Sequence, residues 1–191
     1  MSKVALIYFT GFLLTFFGGS VASANAANDK ITPALERLGE ILPGELVTRG
    51  DAIEYRKWTA YSPARKNVLF IHFPAKLSIK TEVDALKNRI IKEQYSVDYL
   101  RVVTVADFDD ALWGTKSLAA LELKANKKSN PDVEVVRDNT GAVRNVWSLP
   151  KNTLFVALFS ASGKPVYQHT GPISESEMNA LLEKINEQLT R

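Results

Sequence analysis

Two apolar runs joined by one amphipathic stretch constrain this chain more than any other feature. Val68-Leu69-Phe70-Ile71-His72-Phe73 is nearly continuous in apolar character, the pattern of a strand buried on both faces. Val83, Leu86, Ile90 and Ile91 then recur at helical spacing up to about Gln94, and Ser78 is placed to cap that helix. Residues 99–106 are again β-branched and apolar. A strand–helix–strand order with two buried strands predicts a right-handed parallel crossover. The expected class is α/β.

The rest of the chain elaborates that unit. Residues 45–48 and 53–58 flank Arg49-Gly50-Asp51 as a hairpin, and a polar loop follows to residue 67. A second helix is expected over 117–128 with Leu118, Leu121 and Ala125 inward, stopped by Asn130-Pro131. Residues 133–136 predict a third strand. Asp138-Asn139-Thr140-Gly141 reads as a plain turn, with a short helix over 142–147. Residues 154–159 and 166–169, joined by a turn at 160–163, predict a strand and an antiparallel edge. The final helix is the clearest element: Ser174 and Glu177 form a capping box, and Met178, Leu181, Leu182, Ile185 and Leu189 make one stripe.

The N-terminus points to export. Lys3 precedes an uncharged apolar stretch over 4–17, and Gly18-Gly19-Ser20 breaks it before the roughly 20 apolar residues a spanning helix needs. Ala24-Asn25-Ala26 fits a signal-cleavage pattern, with Ala22-Ser23-Ala24 as a second possibility. The expected organisation is a signal peptide over 1–26 cut after Ala26, an arm over 27–43 and one domain over 44–191. No second apolar span follows, so no membrane contact is expected after cleavage. The 191 residues, 46% hydrophobic and 24% charged, suffice for one core. The net charge is +3, with basic residues scattered among acidic ones, which argues against nucleic acid. Lys124, Lys127 and Lys128 close a helix, where cations complement the dipole.

The chain has no cysteine. Disulfides and thiolate metal sites are excluded, and so is thiol–disulfide exchange, which needs a thiolate. Yet the order of elements resembles the exported thioredoxin-like group, TlpA-like and peroxiredoxin-like. Gly44-Glu45-Leu46-Val47, His72, Asp109-Asp110-Ala111 with Gly114, Asn126-Lys127-Lys128, Asp138 with Gly141, and Trp147 with Leu149 together resemble the YtfJ family of exported, cysteine-less thioredoxin-like bacterial proteins. The match runs from about Gly44 to Thr190, and departs at Pro74-Ala75-Lys76, where relatives tend to have Ala-Gly-Arg. The resemblance implies a three-layer α/β/α sandwich with a mixed central sheet. It supplies no biochemical activity. It also implies that Leu77-Ser78-Ile79-Lys80 occupies the Cys-x-x-Cys position, and that Leu149-Pro150 falls where the fold keeps a cis proline. Cis and trans both remain open.

The candidate binding face therefore comprises His72, Lys76, Ser78, Lys80, Asp109, Asp110 and Pro150. Lys76 and Lys80 at a helix start suit an anion. His72 and Ser78 could act as base and nucleophile, though no third group or oxyanion hole is specified. Asp107, Asp109 and Asp110 are hard oxygen donors, but the D-x-D-x-D-G pattern is missing. No cofactor or metal is expected. The expected role is a protein- or peptide-binding module with an envelope partner. The alternative is a non-thiol enzyme or small-ligand binder using His72, Ser78 and Asp109–Asp110.

Overall fold

A computed structural model describes residues 33–60, 66–111 and 114–190. The stretch expected as a signal peptide, with Ala26, the first part of the expected arm and the centre of the loop before residue 67 lie outside the described residues. A 3-10 turn at Leu35–Arg37 leads into a hairpin of β1 (Glu40–Arg49) and β2 (Ala52–Thr59). There follow β3 (Asn67–Pro74), α1 (Leu77–Lys92), β4 (Leu100–Asp107), α2 (Lys116–Ser129) and β5 (Glu134–Asp138). The chain ends with α3 (Ala142–Trp147), β6 (Phe155–Phe159), β7 (Pro165–Thr170) and α4 (Glu175–Leu189).

The strands form one seven-stranded sheet in the order β2-β1-β5-β4-β3-β6-β7. β3, β4 and β5 run parallel, as the crossover reading predicts, and the outer pairs are antiparallel. The sheet is thus mixed, with β3 and β4 central and buried along nearly their whole length.

Alternation along these strands divides the core between two faces. On one face Leu69 and Ile71 pack with Val83, Leu86 and Ile90 of α1 and with Met178, Leu181, Leu182 and Ile185 of α4. Ala106, Phe108 and Val135 meet Leu123 of α2 on the same side, with Phe73 touching both groups. On the other face Phe70, Val105, Val136, Phe155 and Phe159 pack on α3. There the Trp147 ring lies edge-on to Phe70, with centroids 4.9 Å apart.

β1 begins at Glu40, so the last residues of the stretch expected as an arm belong to the sheet. A bulge between Ile41 and Glu45 carries the cis Leu42–Pro43 bond. Gly44 follows with φ of 96°. A Cβ there would stand 2.2 Å from the Arg56 carbonyl oxygen, so the bulge admits glycine alone.

Three finer expectations fail. Ser78 does not cap α1: the N-cap is Lys76, with no side-chain capping bond. Ile91 is 45% exposed, because the buried stripe of α1 follows Val83, Leu86 and Ile90. The phase of α2 is turned away from the one expected. Leu118 and Leu121 are 50% and 65% exposed, and Ala125 is exposed as well. Ala119, Ala120, Leu123 and Lys127 face the sheet instead. Lys127 buries its stem while its ammonium donates to the carbonyls of Pro131 and Val133, at 2.8 and 2.9 Å. A capped lysine thus serves as the last inward residue.

Candidate functional site

Parallel pairing aligns the ends of three strands: Pro74 lies opposite Asp107, and Asp107 opposite Asp138. The carboxyl edge of the sheet therefore collects polar side chains that are distant in sequence. Asp107 and Asp138 are wholly buried, and His72 is 1% exposed.

Asp107 is the hub. Its Oδ1 accepts from the backbone N–H groups of Asp109 and Asp110, at 2.9 and 3.2 Å. Its Oδ2 accepts from Arg144 Nε at 2.9 Å. Arg144 Nη2 donates in turn to Asp109 Oδ2. Burial by itself would push the Asp107 carboxyl up. The adjoining His72 imidazole and the Arg144 guanidinium outweigh it and hold the carboxyl at about 2. For Arg144 burial acts to lower the pKa, and the carboxylates around it raise it on balance.

Arg144 reaches this position because Asp138 builds the start of α3. Asp138 Oδ2 accepts from the Val143 N–H at 3.2 Å, and Oδ1 accepts from Thr140 N–H and Oγ1. Gly141 sits between them with φ of 64°. A Cβ at Gly141 would fall 2.6 Å from Arg144 Nη2. The stretch read as a plain turn is the seat of the guanidinium.

Asp110 ties this hub to the neighbouring loops. It pairs with Lys76 Nζ at 3.4 Å and accepts from the Asn152 backbone N–H. The predicted face is thereby only partly assembled. Lys76, Asp109 and Asp110 come together. His72 lies inside, beneath them, with no hydrogen bond on either ring nitrogen. Ser78 is exposed and lines a separate groove with Ile173 and Met178, on the α4 side. His72 and Ser78 are not brought together as base and nucleophile. Lys80 pairs with Asp84 at 2.6 Å, one helical turn along. Pro150 is exposed after a trans bond, in the loop before β6; among the described residues the cis proline is Pro43, on β1. Among the described residues no group of three His, Asp or Glu side chains is arranged for a metal ion.

Beside the hub, α1 and α2 enclose a cleft of about 350 Å³. Its floor is Phe73, Ala75, Ala106, Phe108 and Leu123, and Lys80, Lys87 and Glu122 stand among its lining. Leu77 and Leu118 are 55% and 50% exposed along it. Arg144, Asp138 and the outward leucines of α2 were missed in the sequence. A lone arginine in a short apolar helix just after Asp-x-x-Gly is the one local signal that could have flagged the first two.

The sheet order, the crossover and the helix at the end of β3 define the class: this is a thioredoxin-like α/β domain. The solved structure of a putative thiol:disulfide interchange protein DsbE from Chlorobium tepidum matches it with a TM-score of 0.52 at 15% identity, covering 79% of this chain and 96% of that one. At that identity the likeness shows the fold alone. The model of the family described as a bacterial protein of unknown function, YtfJ_HI0045, matches residues 35–188. The chain belongs to this YtfJ family. An uncharacterized protein of Haemophilus influenzae is 24% identical over 143 residues, 75% of this chain and 78% of that protein. The uncharacterized protein YtfJ of Escherichia coli is 23% identical over 146 residues, 76% and 79% of the two chains.

Proposed function

We propose that this is an exported binding module that holds an extended, apolar segment of an envelope protein in the α1–α2 cleft and performs no thiol chemistry. The observation that supports it is the cleft itself. An apolar floor opens beside the β3–α1 loop, and two leucines stand half-exposed along it. Isolated exposed leucines are ordinary; two beside one concave apolar floor suit an apolar side chain from a partner. The absence of cysteine removes the exchange chemistry associated with this fold. The apolar N-terminal stretch, with Ala24-Asn25-Ala26 after it, supports a periplasmic location.

Site-specific photo-crosslinking in cells tests the reading. A crosslinker at Leu118 is expected to give a discrete protein adduct that Leu77→Glu abolishes. The same probe at Val97, 52% exposed just before β4 at the opposite end of the sheet, is expected to give none. Equal adducts from both positions, or none from Leu118, would overturn the cleft as the site. Recovery of the full-length chain from the cytoplasm, with residues 1–26 retained, would overturn export.

A further inference from the structure

His72 is the one histidine in the hub, and the one effect described for it so far is to help hold the Asp107 carboxyl low. It is 1% exposed, and neither Nδ1 nor Nε2 has a hydrogen-bond partner. Buried polar groups are nearly always satisfied, and an orphan calls for an explanation. Nε2 stands 3.7 Å from Asp107 Oδ2, too far for a hydrogen bond and close enough for one after a small shift.

The hub carries more negative than positive charge. β4 and the loop after it bring Asp107, Asp109 and Asp110, and β5 brings Asp138. Against these four carboxylates stand Arg144 of α3 and Lys76 of the β3–α1 connection. β6, on the other side of β3, places Phe155 opposite His72 and adds no charge. The imbalance is two negative charges, around Asp107 and Asp138, which are wholly buried, and Asp109, which is about half exposed; it favours a further positive charge, against the burial of His72, which disfavours one. Imidazole is the side chain whose ordinary titration falls between pH 5 and 8.

We propose that His72 takes up a proton from solvent in mild acid and closes the gap to Asp107, making the hub a pH-sensitive clasp. The new Nε2–H donates to Oδ2, which it then shares with Arg144 Nε. Asp107 also holds the amides of Asp109 and Asp110, and Asp110 holds Lys76 and the Asn152 amide. Protonation inside the sheet therefore resets the loop beside the cleft. This device does not depend on what the cleft binds.

NMR titration of the labelled mature protein from pH 8 to pH 5 tests it. His169, whose Nε2 lies 2.9 Å from the Pro172 carbonyl oxygen, is the internal reference. The His72 ring is expected to change charge within that range, with the Asp109 and Asp110 amides shifting at the same midpoint. In His72→Gln the step at those amides is expected to vanish while the rest of the spectrum stays native. In Asp107→Asn, where the neutral side chain offers His72 no charge to pair with, the linked step at the Asp109 and Asp110 amides is expected to be lost. A His72 ring that keeps one charge state throughout, as it would if it merely held a buried water, overturns the proposal. So does a titration that leaves both amides unmoved, or an amide step that survives in His72→Gln.

Discussion

Helix α4 buries Met178, Leu181, Leu182 and Ile185 against β3 and β6, whereas the carboxyl ends of β4 and β5 bury Asp107 against Arg144 of α3 and Asp138 against the backbone that starts α3. Both regions are packed to near-zero exposure. The first is held by non-directional apolar burial, whose strength scales with area. The second is held by directed bonds, and every member depends on the others. The difference governs how each should fail: α4 gradually and the hub all at once.

The largest effect is expected from Asp107→Ala. It strands the Arg144 guanidinium and two backbone N–H groups in a buried place. Removing one partner of a buried pair costs about 3–5 kcal/mol, readable as a shift of the urea midpoint. A loss below about 1 kcal/mol would mean that the hub is dispensable for folding. The same carboxyl sets a pH dependence. Its folded value lies at about 2, below its ordinary 3.8. The folded state therefore binds fewer protons than the unfolded one in that range. The stabilisation is complete above the ordinary value and is lost as pH falls through about 2. Asp107→Asn should flatten that acid limb of the stability profile.

Leu181→Ala comes next, at about 2–5 kcal/mol for a fully buried leucine whose cavity cannot collapse completely. Its urea slope is expected to stay that of the native chain. A changed slope would show that α4 unfolds separately from the sheet.

The comparison also explains what the sequence could reveal. α4 was legible because its stripe and its capping box are local, and the structure keeps both. The crossover of β3, α1 and β4 was legible for the same reason. α2 misled because two leucines mark a plausible apolar face, while the true inner face uses Ala119, Ala120, Leu123 and the stem of a lysine. The hub was the least legible. His72, Asp107 and Asp138 are brought together by parallel strand register, which no spacing along the chain encodes, and Arg144 joins them from α3. Asp109 and Asp110 were visible as acidic residues after a strand. Their bonds to Arg144 and Lys76 were not.

Ser174→Ala sharpens the contrast on a smaller scale. Ser174 Oγ accepts from the Glu177 N–H, and the Glu177 side chain accepts from the Ser174 N–H. Losing that reciprocal cap is expected to cost about 1 kcal/mol. Ser78→Ala should cost almost nothing by the same thermal-melt measurement, because Ser78 makes no capping bond in α1. Equal losses at the two serines would mean that α1 draws on a hydroxyl cap in solution.

Leu118→Glu is expected to have the smallest effect on stability, within about 0.5 kcal/mol, as for surface positions generally. The sequence pattern alone predicts the reverse, since an inward leucine replaced by a buried charge would unfold α2. One urea curve separates the two accounts. The outward phase of α2 also makes Leu118 a clean probe of function: a variant that keeps the native midpoint yet loses the crosslinked partner isolates recognition from folding. If Leu118→Glu instead destabilises by several kcal/mol, the inner face of α2 is the one that the leucine spacing marks, and the half-exposed rim of the cleft goes with it.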